Sequence, residues 1–186
     1  MFQLGIMEYK MGRINRAIDI FRKVVDLSED NITAKLLLAD LLSFNTGYIE
    51  EAKNIYINYL NTNKEDYDTM LKLVISLLAS NDLDTAEKYV KTLENVLEKN
   101  FSSESAYYIA IFYELKKDFV NAAKYMEKYF KYNKMPPLNP YLKLGYYYSV
   151  MKKYLDSEKY LLSAIKKFDS FEAKILLVFV YMDQKK

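Results

Sequence analysis

The chain of 186 residues has no cysteine, no histidine and no tryptophan. Without cysteine there is no disulfide and no thiol nucleophile. Without histidine there is no Ser-His-Asp relay, and the two commonest zinc ligands are missing together. Glycine occurs four times and proline three times, and no strand-like alternation persists, so an all-α fold is expected. The four glycines, Gly5, Gly12, Gly47 and Gly145, are too scattered for a phosphate-binding loop. No uncharged apolar run reaches the roughly 18 to 20 residues of a membrane span. The opening stretch, MFQLGIMEYKMGR, carries charge too early for a signal peptide. These absences favour the cytoplasm and imply no cofactor and no metal.

Apolar residues make up 51% of the chain, ample for one packed core. The net charge of +2 hides an asymmetry: residues 1–100 carry 12 basic and 16 acidic side chains, residues 101–186 carry 15 and 9. An acidic first half and a basic second half could steer a partner or favour head-to-tail contact.

The ordering signal is an internal repeat. Small residues recur at Ala17, Ala52, Ala86, Ala122 and Ser157, with separations of 35, 34, 36 and 35. Three residues before each stands an apolar one: Ile14, Ile49, Leu83, Phe119 and Tyr154. Four residues after each stands another: Phe21, Tyr56, Val90, Met126 and Leu161. Gly12 and Gly47 mark tight turns ahead of two of these helices. The clearest unit is NPYLKLGYYYSVMKKYLDSEKYLLSAIKKFD, from Asn139 to Asp169. There Tyr141, Leu144 and Tyr148 share one helical face, and Tyr154, Ser157, Leu161, Ala164 and Ile165 define a second. Such a pair cannot bury both faces alone and needs neighbours.

This pattern resembles the tetratricopeptide repeat, whose unit is about 34 residues. The fifth unit carries Tyr141 where the family favours tryptophan, then Leu144-Gly145 and Tyr148; the first carries Leu4-Gly5 and Ala17 with Phe21. The chain departs from the family in lacking the tryptophan, in Ser157 for alanine and in Asp169 for proline. The resemblance implies a right-handed α-solenoid of five helical pairs and a terminal helix, read as one domain over residues 1–186. First helices are expected near 2–10, 31–44, 65–80, 103–116 and 139–151. Second helices are expected near 14–27, 48–61, 83–99, 119–133 and 154–168, with a last helix near 171–183. Asn31, Asn63, Asp82 and Ser103 are candidate N-caps. The stretch NKMPPLN is too short to separate one domain from another.

In tetratricopeptide proteins the first helices line a concave groove. The resemblance therefore places Leu37, Leu41, Phe44, Leu71, Ile75, Leu78, Tyr107, Ile111, Leu142 and Tyr146 along it. That lining is apolar and aromatic and lacks the Lys, Arg and Asn cluster that clamps a terminal carboxylate in some members of the family. It suits an amphipathic helix or an extended apolar segment. The opposing reading makes these residues ordinary core, although Leu36, Ala39, Met70, Leu73, Ala106 and Ile109 already supply a core face. The expected function is a non-catalytic protein-interaction scaffold with a protein or peptide partner.

Two other functions compete. Self-assembly would use the ends: Met1 already lies in a helix, and the last helix, FEAKILLVFVYMDQ, has no second helix after it, so the chain reads as a piece of a longer protein. Ile175, Val178, Phe179 and Met182 are expected to close the stack, leaving Leu176, Leu177, Val180 and Tyr181 for another copy and a possible homo-oligomer. Nucleic-acid binding would use Lys124, Lys128, Lys131, Lys159 and Lys166 with neighbouring tyrosines. Those lysines also fit a solvated outer stripe with Glu127 and Glu158 interleaved. Acidic clusters at Glu50-Glu51, Glu65-Asp66-Asp68 and Asp82-Asp84 sit at helix starts, where the helix dipole accounts for them without catalysis.

Overall fold

The computed structural model describes residues 1–97, 99 and 102–185. Among these residues there are eleven α-helices and no strand. They are α1 (Phe2–Lys10), α2 (Ile14–Leu27), α3 (Ile32–Leu42), α4 (Ile49–Thr62), α5 (Tyr67–Ala79) and α6 (Leu83–Leu97). Then follow α7 (Ser103–Leu115), α8 (Phe119–Tyr132), α9 (Leu138–Val150), α10 (Tyr154–Phe168) and α11 (Phe171–Gln184). The all-α class and the tetratricopeptide-like hairpins are those that the repeat implies. The helices group into two compact units, Met1–Leu93 and Glu94–Lys186.

Local chemistry sets the ends. Asn31, Asp66, Ser102, Asp118 and Ser170 each accept a hydrogen bond from the backbone N–H three residues on, as does Asp82 from Thr85 at 3.2 Å. Asn31 and Asp82 cap as expected, whereas Asp66 and Ser102 take the roles expected of Asn63 and Ser103. The expected run of the third second helix to residue 99 passes through Glu98, which lies outside the described residues.

Four of the five hairpins share one turn. A left-handed residue stands two places before the second helix: Gly12 (φ 74°), Asn81 (56°), Lys117 (59°) and Lys152 (57°). The next residue donates its N–H to the carbonyl five back, as Arg13 to Glu8, Asp82 to Leu77, Asp118 to Tyr113 and Lys153 to Tyr148, each at 2.9 Å. These bonds satisfy carbonyls that the helix end would orphan. The second hairpin differs. There α3 stops at Leu42, Ser43 Oγ donates to the Asp40 carbonyl, and the Gly47 N–H binds the Asn45 side chain. Gly47 lies in the turn before α4 as expected, but without the left-handed conformation of Gly12. The early stop also removes Phe44 from the helix and leaves it 85% exposed on the connection.

The repeat markers are the packing points. Ala17, Ala52, Ala86, Ala122 and Ser157 are all fully buried. Ser157 substitutes for alanine without cost in unpaired polarity, because its hydroxyl donates to the Gly145 carbonyl at 2.7 Å. In three hairpins a position on the first helix meets the residue 16 places later: Gly5 with Phe21, Asp40 with Tyr56 and Gly145 with Leu161. Their sizes trade against each other. A Cβ on Gly145 would lie 2.6 Å from Leu161 Cδ2, and one on Gly5 would lie 3.0 Å from the Phe21 ring. Asp40 instead accepts the Tyr56 hydroxyl at 2.6 Å.

Gly145→Ala is therefore expected to overpack the fifth hairpin and lower stability by about 1–3 kcal/mol. Adding Leu161→Val should recover some of that loss. Urea unfolding of the two variants and their combination measures the coupling; strict additivity would show that the two side chains do not share one space.

Candidate protein-binding face

The face expected to line a groove divides between the two units. In the first, Leu41, Leu71 and Leu78 are only 4%, 7% and 8% exposed. They are core, and their expected place on an open groove is corrected. Leu37 and Ile75 are half-buried, and Phe44 projects from the connection rather than from α3. Tyr146, in the register of Leu41 and Ile75, reaches 42% exposure. The polar content of this face is an inter-repeat pair: Lys72 Nζ reaches Asp40 at 2.7 Å.

In the second unit the same register stays open. Tyr107 and Ile111 lie one turn apart on α7, and Leu142 and Tyr146 lie one turn apart on α9. The first three are half-buried and Tyr146 is 42% exposed. Leu115 and Val150, which the repeat pattern does not single out, are exposed in continuation of the two rows. The rings are held rather than loose. Tyr107 packs edge-on against Tyr108 at 5.3 Å and tilted against Tyr129 at 5.5 Å. Tyr146 meets Phe119 edge-on at 5.7 Å.

A polar knot ties α7 to α9 beside this stripe. Glu114 accepts from Lys143 Nζ at 2.6 Å and from the Tyr147 hydroxyl at 2.9 Å. Tyr147 is fully buried, and that burial, with the carboxylate beside it, pushes its phenol above the ordinary tyrosine range. At the N-terminal end of the stripe a shallow cavity of about 380 Å³ opens beside Tyr107, Tyr108, Tyr129 and Asn139. Burial raises the phenols of Tyr107 and Tyr108 as well. These groups stay neutral donors at physiological pH. Among the described residues, no cluster of three or more acidic side chains could hold a metal. No helix there is long and apolar enough to cross a membrane.

The lysines considered for nucleic acid do lie outward, with Lys124, Lys131, Lys159 and Lys166 exposed and Lys128 half-buried. Lys124 and Lys128 each stand 5.3 Å from the Tyr125 ring centre, and Lys159 stands 5.3 Å from that of Tyr160. The rings themselves are engaged within the fold: Tyr125 stacks on Tyr113 and Tyr160 on Tyr148. They do not form a free platform for bases.

On the last helix the expected faces are exchanged. Ala173, Leu177 and Val180 are buried and close α11 onto the helices before it, with Leu176 partly buried against the same cluster. Ile175, Val178, Phe179 and Met182 are 41–57% exposed. Tyr181 is 39% exposed and donates its hydroxyl to Glu158 at 2.5 Å. The reason lies in the register. Tyr141, Leu144, Gly145 and Tyr148 of α9 have the same i, i+3, i+4, i+7 spacing, and that face receives α10. On α11 the buried side is instead that of Ala173, Leu177 and Val180.

No protein-family model and no curated protein sequence matches the chain. Solved structures do match its fold. A structure of MamA shares 16% identity with a TM-score of 0.76, covering 89% of this chain and 94% of that one. YrrB, described as a TPR protein with an unusual peptide-binding site, shares 14% identity with a TM-score of 0.73, covering 97% and 90%. TTC0263, a thermophilic TPR protein of Thermus thermophilus, shares 13% identity with a TM-score of 0.64, covering 97% of each. The fold is that of the tetratricopeptide repeat.

The exchange of faces on α11 sets opposite expectations for neighbouring side chains. Leu177→Ala should destabilise by about 2–5 kcal/mol, a buried-leucine loss. Phe179→Ala should fall within about 0.5 kcal/mol of the parent. Thermal melts of the two variants check this, and equal losses would show that both faces are packed.

Proposed function

We propose that the chain is a non-catalytic protein-interaction scaffold. The stripe on α7 and α9 takes an apolar or amphipathic segment of a partner protein. The observation that carries this is the partial exposure of Tyr107, Ile111, Leu142 and Tyr146 in one register whose counterparts in the first unit include buried leucines. Packing uses only part of these side chains: Tyr107 meets Tyr129 and Leu142 lies against the α9–α11 cluster, while Ala106, Ile109, Ala110 and Phe112 are the buried apolar residues of α7. Two rows of apolar groups one turn apart match the i, i+4 anchors of an amphipathic helix. Tyrosine supplies large contact area with few rotatable bonds, which keeps the ordering cost of binding low.

The test is a proteomic capture with the intact chain beside Ile111→Glu and Tyr146→Ala, each checked for unchanged helicity. The expected result is a protein bound by the parent and weakened about tenfold or more by either variant, or about 1.4 kcal/mol. Capture of the same proteins by all three would remove the stripe from the reading.

A second reading, association between copies, rests on Val178 and Phe179, which are 57% and 56% exposed on α11. Neighbouring exposed apolar side chains on one helix are the kind of surface that a second copy covers. Sedimentation velocity across a concentration series, with Phe179→Glu as the variant, decides it. A parent that stays monomeric throughout removes this reading.

A further inference from the structure

A cavity in the first unit lies between the second helices α2 and α4, with the start of α3 as its floor. It is half-open and holds about 790 Å³, within the roughly 300–1,000 Å³ range of ligand sites. Its apolar lining centres on Val25 of α2, Leu36 of α3 and Ile55 of α4.

The second unit contains the same arrangement in α8, α9 and α10. One constant shift of 105 positions carries Ala17 onto Ala122, Val25 onto Phe130, Leu36 onto Tyr141 and Ile55 onto Tyr160. There the three positions form an aromatic cluster. Phe130 meets Tyr141 edge-on at 4.7 Å and Tyr160 at 5.5 Å. Tyr160 stacks on Tyr148 at 5.9 Å. Isoleucine holds this register in the first two units, at Ile20 and Ile55, and tyrosine holds it in the next three, at Tyr89, Tyr125 and Tyr160. In the neighbouring gap between α4 and α6, the corresponding Leu60, Met70 and Tyr89 are all buried. The cavity is therefore the space left where aliphatic side chains stand in for rings.

We infer that this cavity is a second docking site, and that its occupant is an aromatic side chain, Tyr or Phe, presented on an uncharged segment of a partner protein. The second unit shows what fills such a gap in this fold. The rim specifies the rest. At one end Arg22 is neutralised by Glu51, with N···O distances of 2.7 and 3.4 Å, and its guanidinium lies 5.0 Å from the Tyr48 ring centre. No net charge is left there to call for a charged ligand. Along the α4 wall Asn54 and Asn58 are exposed. Their carboxamides offer both a donor and an acceptor, as a peptide backbone requires.

The experiment uses the full chain with methyl-labelled valine, leucine and isoleucine, titrated with the peptide acetyl-Ala-Tyr-Ala-amide. Saturable shifts are expected on Val25, Leu36 and Ile55, and acetyl-Ala-Leu-Ala-amide should bind about tenfold more weakly. Ile55→Tyr supplies the missing ring in place and should abolish the shifts while preserving the melting temperature. Val25→Phe, which reproduces Phe130, is the second filling variant and should act alike where Ile55→Tyr fails to fold. Three results overturn the inference: no shift at these methyls, equal binding of the leucine peptide, or binding that survives a folded filling variant.

Discussion

The structure depends on one constraint, the close crossing of two helices at a small residue that recurs every 34 to 36 positions. Ala17, Ala52, Ala86, Ala122 and Ser157 are all completely buried, and each brings its second helix onto the first helix of its pair. Interiors are packed to crystal-like density, so the volume at each crossing is fixed even when its residues are not. That is why the pair 16 residues apart varies in composition while the hairpin persists. Glycine packs against phenylalanine in the first hairpin and against leucine in the fifth. In the second hairpin a carboxylate and a phenol share the space through a hydrogen bond, and burial together with that bond drives the Tyr56 phenol above its ordinary range.

What the sequence makes legible follows from that constraint. A small residue at a fixed period and apolar residues at helical spacing are local signals, and the helix bounds read from them lie within two residues of the structure at most ends. The turn is less legible. Lys117 and Lys152 hold left-handed conformations that cost a β-carbon-bearing residue about 1–2 kcal/mol, and nothing in their type announces it. They are held there by the two carbonyl bonds that close each turn, a collective property of the hairpin. Gly47 carries the expected residue type and does without the conformation, because α3 ends early.

Exposure is the least legible quantity, for a geometric reason. A helix in a repeat has three uses for its surface: its own hairpin partner, the preceding hairpin, and solvent or ligand. Periodicity of 3.6 shows that apolar residues share a face but does not say which neighbour owns it. Leu41, Ile75, Ile111 and Tyr146 occupy one register position, yet exposure there runs from 4% at Leu41 to 42% at Tyr146. On α11 Ile175 and Phe179 are exposed, while Leu177 and Val180 close onto the helices before it. The i, i+3, i+4, i+7 set of α9 could have settled this from sequence, since Gly145 lies in it and a glycine packed against Leu161 marks the hairpin side.

The two units then differ through one substitution of kind, aliphatic for aromatic, on a common scaffold. Rings fill the gap between second helices in the second unit and extend the first-helix face there beyond its cover. The same rings account for much of the lysine around them. Lys124 and Lys128 lie over Tyr125, Lys131 over Tyr132, and Lys159 over Tyr160, at 5.2–5.3 Å from the ring centres. Each such contact contributes about 0.5–1 kcal/mol at an exposed site, and the long lysine stems shield apolar ring surface while the ammonium groups stay hydrated. The basic character of residues 101–186 is thus tied to their aromatic packing. A chain that buries tyrosine beneath its second helices needs long side chains to cover the ring faces that remain, and lysine covers them without adding apolar surface.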